Sequence, residues 1–227
     1  SGIGESAIGA RIDDLMRLSN PTVGTAAHPG QTDVRITAKG ESEEEALALI
    51  APVEAELRRR LGDFVFGVDQ ESIGDVVNHL LAERGLRLAL VETVTQGQLA
   101  QDLARAVDSH GSLAGSVILP DAEALGAALG VPAEALAGAG TISQEAAEQA
   151  AVAVRRAYGA DLGLAVIGPR DPGAPDAPPV FMSLSAGDRT RNGLPRPGRS
   201  GVSGQGWLIH LALDLVRREL LGLPAPE

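Results

Sequence analysis

Apolar residues recur at helical spacing from the start of the chain: Ile8, Ile12 and Leu15 form one stripe that stops at Asn20-Pro21, since proline drives the residue before it out of helical geometry. Val34, Ile36 and Ala38 then alternate with Arg35 and Thr37, the period of a strand with one buried face. Ser42 and Glu45 have the spacing of a capping box, and Ala46, Leu49, Ile50, Val53, Leu57 and Leu61 keep the helical period through a kink expected at Pro52. Phe64 and Phe66 start another strand pattern. The order helix, strand, strand, helix, strand predicts a small α+β module over 1–69, with Asp69-Gln70-Glu71 as its boundary.

The pattern restarts at Ser72, which forms a second capping box with Asp75 ahead of Ile73, Val76, Val77, Leu80 and Leu81. Leu86 to Val91 is a nearly continuous apolar strand. Helix 95–106, strand 115–119, a helical stretch near 121–137, helix 143–158, strand 161–167, strand 180–185 and helix 205–221 follow. Such alternation predicts an α/β domain over 70–227, with a largely parallel sheet covered by helices. Ala146, Ala147, Ala150, Ala151 and Val154 share one helix face, so that helix should approach the sheet closely. Segments 168–179 and 187–204 are rich in Gly, Pro and charge and read as long surface loops.

Composition then narrows the chemistry. A formal net charge of −11 and a pI near 4.8 argue against nucleic acid as a partner, because phosphate binding draws its affinity from Lys and Arg. A small, locally lined phosphate pocket is still compatible with them. The chain has no cysteine, which excludes disulfides, thiolate ligands and cysteine nucleophiles and fits a reducing compartment, so a cytoplasmic location is expected. No apolar run reaches about 18 residues, so no membrane segment is expected. His28, His79, His110 and His210 have no second histidine at i,i+4, no HExxH context and no carboxylate cluster at ligand spacing, so neither a metal nor a cofactor is expected. Glu43-Glu44-Glu45 and Arg58-Arg59-Arg60 sit at the two ends of one predicted helix, where they complement its dipole. No phosphate-loop or dinucleotide signature is present, and Trp207 and Tyr158 are too few to form a stacking platform for bases.

Three stretches carry a family likeness: Gly2-Ile3-Gly4-Glu5-Ser6, Asn20-Pro21-Thr22-Val23 with the run 36–69, and the unit from Ser72 to Leu221. Together they resemble the CinA (competence/damage-inducible) family over essentially the whole chain. The resemblance implies a KH-like module followed by a three-layer α/β/α domain of the type that deamidates nicotinamide mononucleotide. It also implies a nucleotide-binding domain ahead of both, whose tail Gly2-Ile3-Gly4-Glu5-Ser6 resembles, so this chain is expected to be a fragment without that domain. The KH-like region shows no Gly-x-x-Gly loop between helices, so a spacer or dimerisation role is favoured over nucleic-acid binding.

The family's site motifs align position by position. Glu-Ser-Cys-Thr-Gly-Gly becomes Glu92-Thr93-Val94-Thr95-Gln96-Gly97. Thr93 stands at the nucleophile's place, where its methyl restricts the attack angle, and a positive φ at Gln96 would be strained by roughly 1–2 kcal/mol. The second motif aligns with Gly115 to Leu125, placing Pro120 at the family's tyrosine and Leu125 at its lysine. The third survives only as the Ile167-Gly168-Pro169-Arg170 frame, and the fourth leaves Arg199 as its basic residue. Glu92, Thr95, Gly97, Gly168, Arg170 and Arg199 are therefore the candidates for nucleotide or phosphate contact.

A hydroxyl nucleophile needs a base within hydrogen-bond reach, and leucine supplies none. The expected reading is a catalytically inactive or very weak domain, kept for structure, oligomerisation or pyridine-nucleotide sensing. One alternative is an active deamidase using Thr93 with Asp121, Glu92 or Glu123 as base. Another is a pure interaction module with an apolar strip of Trp207, Ile209, Leu213, Val216 and Leu220. Because that strip leaves little of the last helix polar, a homodimer is expected.

Overall fold

The structure is a computed structural model that describes residues 2–105, 111–137, 142–169, 171–193 and 201–224. It divides into two compact units, Ser1–Phe66 and Gly67–Glu227.

In the first unit, α1 (Glu5–Met16), β1 (Thr22–His28), β2 (Gln31–Thr37) and α2 (Glu43–Leu61) follow in order. The predicted stripe Ile8, Ile12 and Leu15 packs with Val53, Leu57 and Leu61 of α2 and Val23 of β1. Ser42 caps α2 by accepting from the Glu45 N–H, but the Glu45 carboxylate reaches the Glu41 N–H instead of closing the box on Ser42. Arg60 ties α2 to α1 by pairing with Asp14 and with Glu56. The strand expected at Phe64 and Phe66 is not formed. Gly62, at φ 49°, ends α2 in a 3₁₀ turn over Gly62–Phe64, and the Arg11 guanidinium lies 4.9 Å from the Phe64 ring centroid.

The second unit opens at α3 (Ile73–Arg84), whose capping box is complete: Asp75 N–H donates to Ser72 Oγ and Ser72 N–H donates back to Asp75. Then come β3 (Leu88–Glu92), α4 (Gln98–Arg105), β4 (Leu113–Ile118), α5 (Leu125–Leu129), α6 (Ala133–Ala137), α7 (Gln144–Ala157), β5 (Leu162–Ile167), β6 (Phe181–Ala186), β7 (Arg189–Asn192) and α8 (Gly201–Leu221). The helical stretch near 121–137 is thus broken, because Gly130, at φ 66°, and Pro132 part α5 from α6.

The sheet has the order β4-β3-β5-β6-β7. β4, β3 and β5 run parallel, β6 runs antiparallel to β5 and β7 antiparallel to β6, so the sheet is mixed, which corrects the expectation of a largely parallel one. A parallel return needs a crossover as long as a helix. The Gly- and Pro-rich segment after β5 carries none among the described residues, so β6 comes back antiparallel. β7 lies inside a segment read as loop. Its sequence, Arg-Thr-Arg-Asn, has no apolar alternation, and the Gly187-Asp188 turn with Gly187 at φ 59° forms it as a hairpin.

One sheet face carries Ala89, Val91, Ala165 and Ile167 against α7, α5 and α6. By alternation the other carries Leu88, Leu90, Leu164 and Val166 toward the layer of α3 and α8, all buried. The predicted small-residue face of α7 is fully buried. Its approach is so close that a Cβ on Gly163 would lie 2.1 Å from the Ala151 carbonyl oxygen.

Candidate functional site

The carboxyl ends of β3, β4 and β5 bring the motif residues together, at the end of the strands where sheets of this kind bind ligands. β3 ends on Glu92, which is completely buried. Its Oε2 accepts from the Thr95 hydroxyl at 2.6 Å and from the N–H groups of Gly97 at 3.0 Å and Leu99 at 3.3 Å. Its Oε1 accepts from the Ala100 N–H at 3.1 Å. The carboxylate therefore occupies the positive N-terminal end of α4, satisfying groups that would otherwise bind an anion. That explains why α4 starts at Gln98 and not at Thr95. The intervening turn needs left-handed residues, supplied by Gln96 at φ 52° and Gly97 at φ 89°. Glycine suits the second of these because φ 89° strains any L side chain, and a Cβ there would also press on Ile118 Cδ1 at 2.7 Å.

Thr93 is buried, and its hydroxyl forms a closed pair with Gly168: it donates to the Gly168 carbonyl at 3.0 Å and accepts from the Gly168 N–H at 2.9 Å. This cross-link stitches the turn after β3 to the turn after β5. Gly168 is itself constrained, because a Cβ would lie 2.9 Å from Val180 Cγ2 and 3.1 Å from Val94 Cβ. Gln205 on α8 reaches the same turn, donating to the Val94 carbonyl at 3.5 Å.

After β4, Pro120 is exposed, and Asp121 caps the following turn by accepting from the Ala124 N–H at 3.2 Å. Leu125 is fully buried in the cluster with Val91, Leu119, Ala122, Val131 and Ile167. The family's lysine position is therefore a core position here. Glu123 is exposed. Asp102 on α4 has its carboxyl pushed up by burial, with Arg105 opposing and the Glu92 charge reinforcing. Arg170 and Arg199 lie outside the described residues, as does His110. Among the described residues no group of three His, Asp or Glu is placed to hold a metal, and no helix is long and apolar enough to cross a membrane.

Sequence patterning did not single out the ionic cluster of α8. Asp214 is fully buried and accepts from Arg217 Nε and Arg218 Nε, each at 2.8 Å. Burial pushes its carboxyl up, but the two guanidinium groups outweigh this and hold it below the usual range. One turn earlier, burial pushes the His210 imidazole down to about 4. The signal was in the sequence as i,i+3 and i,i+4 spacing, although such spacing on an exposed face looks the same. The apolar strip of α8 is largely internal to its own unit, with Ile209, Leu213 and Val216 buried. At the opposite end of the sheet, a groove of about 370 Å³ is lined by Arg189, Thr190, Arg191, Glu219, Gly222 and Leu223, and Glu219 pairs with both arginines at 3.1 and 3.3 Å.

Residues 1–67 match the family model described as the damage-inducible protein CinA KH domain, and residues 70–189 match the CinA C-terminal domain. A CinA-like protein of a Synechococcus strain is 38% identical over 230 residues, covering 98% of this chain and 54% of that protein. One from Frankia casuarinae is 36% identical over 234 residues, with 100% and 54% covered. The chain thus spans about half the length of these curated relatives. A solved CinA superfamily structure from Klebsiella pneumoniae superposes with a TM-score of 0.59 at 21% identity, over 66% of this chain and 96% of that one. Such a likeness shows the shared fold. The closed networks at the strand ends are thus built on a known scaffold, and this chain belongs to the CinA family.

Proposed function

We propose that the second unit is a catalytically degenerate member of the nicotinamide-mononucleotide deamidase type, retained for structure, assembly or pyridine-nucleotide sensing. The observation that carries this reading is the closed state of the hydroxyl and carboxylate groups at the strand ends. Thr93 spends its proton and a lone pair on Gly168, and Glu92 accepts four hydrogen bonds from its own loop. A nucleophile must lose its proton to a base, and here the proton already points at a carbonyl. Asp121 is engaged as a cap, Pro120 carries no phenol and Leu125 lies in the core.

The physical cost is large. General acid–base assistance is worth roughly 10²–10⁴ in rate and each preorganised donor roughly another 10²–10³. Losing lysine and tyrosine together removes several orders of magnitude. Calorimetric titration with nicotinamide mononucleotide beside an ammonia-release assay tests the reading, and the expected result is no measurable turnover whether or not the nucleotide binds. Ammonia release at ordinary enzymatic rates, abolished by Thr93→Ala, would replace this reading with that of an active deamidase.

A further inference from the structure

The two edges of the five-stranded sheet differ in kind. An open edge is a template for another strand, and proteins blunt it with charge, shortness, proline or bulges. β7 is blunted: it has four residues, and Arg189 and Arg191 are paired to Glu219. β4 is not. Its sequence Leu-Ala-Gly-Ser-Val-Ile carries no charge and no proline, although the chain as a whole has a net charge of −11. The irregularity in its pairing with β3 lies at its start, opposite Leu88 and Ala89, and leaves Gly115 to Ile118 regular.

Backbone direction on β4 follows from one hydrogen bond. Leu119 N–H donates to the Glu92 carbonyl at 2.9 Å, so Leu119 and, by alternation, Val117 face β3. The N–H and C=O groups of Ser116 and Ile118 then face away from the sheet. Among the described residues no backbone group meets them. Ser116 Oγ is buried and has no hydrogen-bond partner among the described residues. Two of the large apolar side chains left exposed by this unit flank the same strand: Ile118 at 55% and Tyr158 at 38%. The Tyr158 ring covers Gly115, where a Cβ would lie 2.1 Å from it.

We propose that β4 pairs edge to edge with β4 of a second copy of this chain, antiparallel across a two-fold axis at Ser116. A two-fold normal to the sheet keeps α7 on the same side in both copies, so paired residues must share a face, and the register must centre on a residue rather than between two. Centring on Ser116 matches its outward-facing backbone, which exchanges both hydrogen bonds with its own copy. Gly115 then sits opposite Val117, with Tyr158 beside it, and Ala114 sits opposite Ile118. The uncharged strand lets two acidic molecules meet without like charges at the contact. The buried strip of α8 is not needed for this pairing.

Sedimentation velocity on the chain from roughly 5 to 200 µM tests the pairing, because so short an interface falls at the weak end of specific contacts. The expected result is a concentration-dependent dimer. Ser116→Pro removes the outward N–H while sparing the bonds to β3, so it should raise the dissociation constant at least about tenfold. Ile118→Lys, which changes an exposed side chain, should do the same and decides the matter if the proline variant fails to fold. Thr190→Pro on the opposite edge should leave the dimer intact. A monomer throughout the range, or a dimer that survives Ile118→Lys unchanged, overturns the proposal.

Discussion

Leu125→Lys would restore the family's residue type at the position where its amine is expected, so it tests whether that position is still a site or has become core. Leu125 is 0% exposed and packs among Val91, Leu119, Ala122, Val131 and Ile167. Removing the buried leucine forfeits about 1.5–3 kcal/mol. A buried lysine has its pKa depressed by about 3–5 units, and at about 1.36 kcal/mol per unit this gives a penalty of about 4–7 kcal/mol in full below the folded pKa and about 4–5 kcal/mol at pH 7. At about 2–4 °C per kcal/mol for a domain of this size, the melting midpoint at pH 7 should fall by about 10–30 °C. Thermal melts by circular dichroism at pH 7 read this directly, with Leu125→Met as a control expected to cost under about 1.5 kcal/mol. The penalty has a definite sign with pH. The folded pKa is depressed and the unfolded one is not, so the loss is largest below the folded pKa, is still large at pH 7 and shrinks as pH rises toward about 10.4. A Leu125→Lys protein that melts within about 3 °C of the parent at pH 7 would refute the placement of this residue in the core. So would a pH-independent loss of stability, as regards the charging penalty.

Gln96→Gly should stabilise the protein or leave it unchanged, since the residue sits at φ 52° and relief of about 1 kcal/mol offsets glycine's entropy; a loss above about 1 kcal/mol in denaturant unfolding would contradict this. Thr93→Val should cost about 2–4 kcal/mol by leaving both backbone groups of Gly168 unpaired, whereas Thr93→Ser should retain most of the stability, and equal losses from the two would argue against the hydroxyl staple. Because the folded His210 pKa is lowered from 6.5 to about 4, the unfolded chain binds more protons in between. Its contribution is present in full above about 6.5 and is lost as pH falls toward about 4, by about 3 kcal/mol in all. His210→Leu should flatten the stability profile in that window, and an unchanged slope would show that the imidazole is not the group responsible. Pro120→Tyr combined with Leu125→Lys should yield at most a trace of ammonia from nicotinamide mononucleotide, and full turnover would show that the Thr93 and Glu92 networks are no obstacle.

Sequence alone carried the elements whose physics is local. The stripe of Ile8, Ile12 and Leu15, the Ser72–Asp75 capping box and the alanine face of α7 all depend on spacing within one segment, and each is found where its period put it. The motif frame of 92–97 and the substitutions at 120 and 125 were also legible, because they are properties of residue identity. What folding decided is where each backbone group finds its partner. Thr93 and Gly168 are 75 positions apart, and nothing in either segment announces that the hydroxyl of one closes on the peptide of the other. The Glu92 carboxylate looked like a ligand or a base until the turn after β3 directed four donors at it. β6 runs antiparallel to β5 because no helix returns the chain after β5 among the described residues, and Phe64 lies in a turn because Gly62 reverses the chain ahead of it. Periodicity records which face of an element is buried, but strand direction and hydrogen-bond closure depend on what the rest of the chain brings alongside, so only the tertiary structure could settle them.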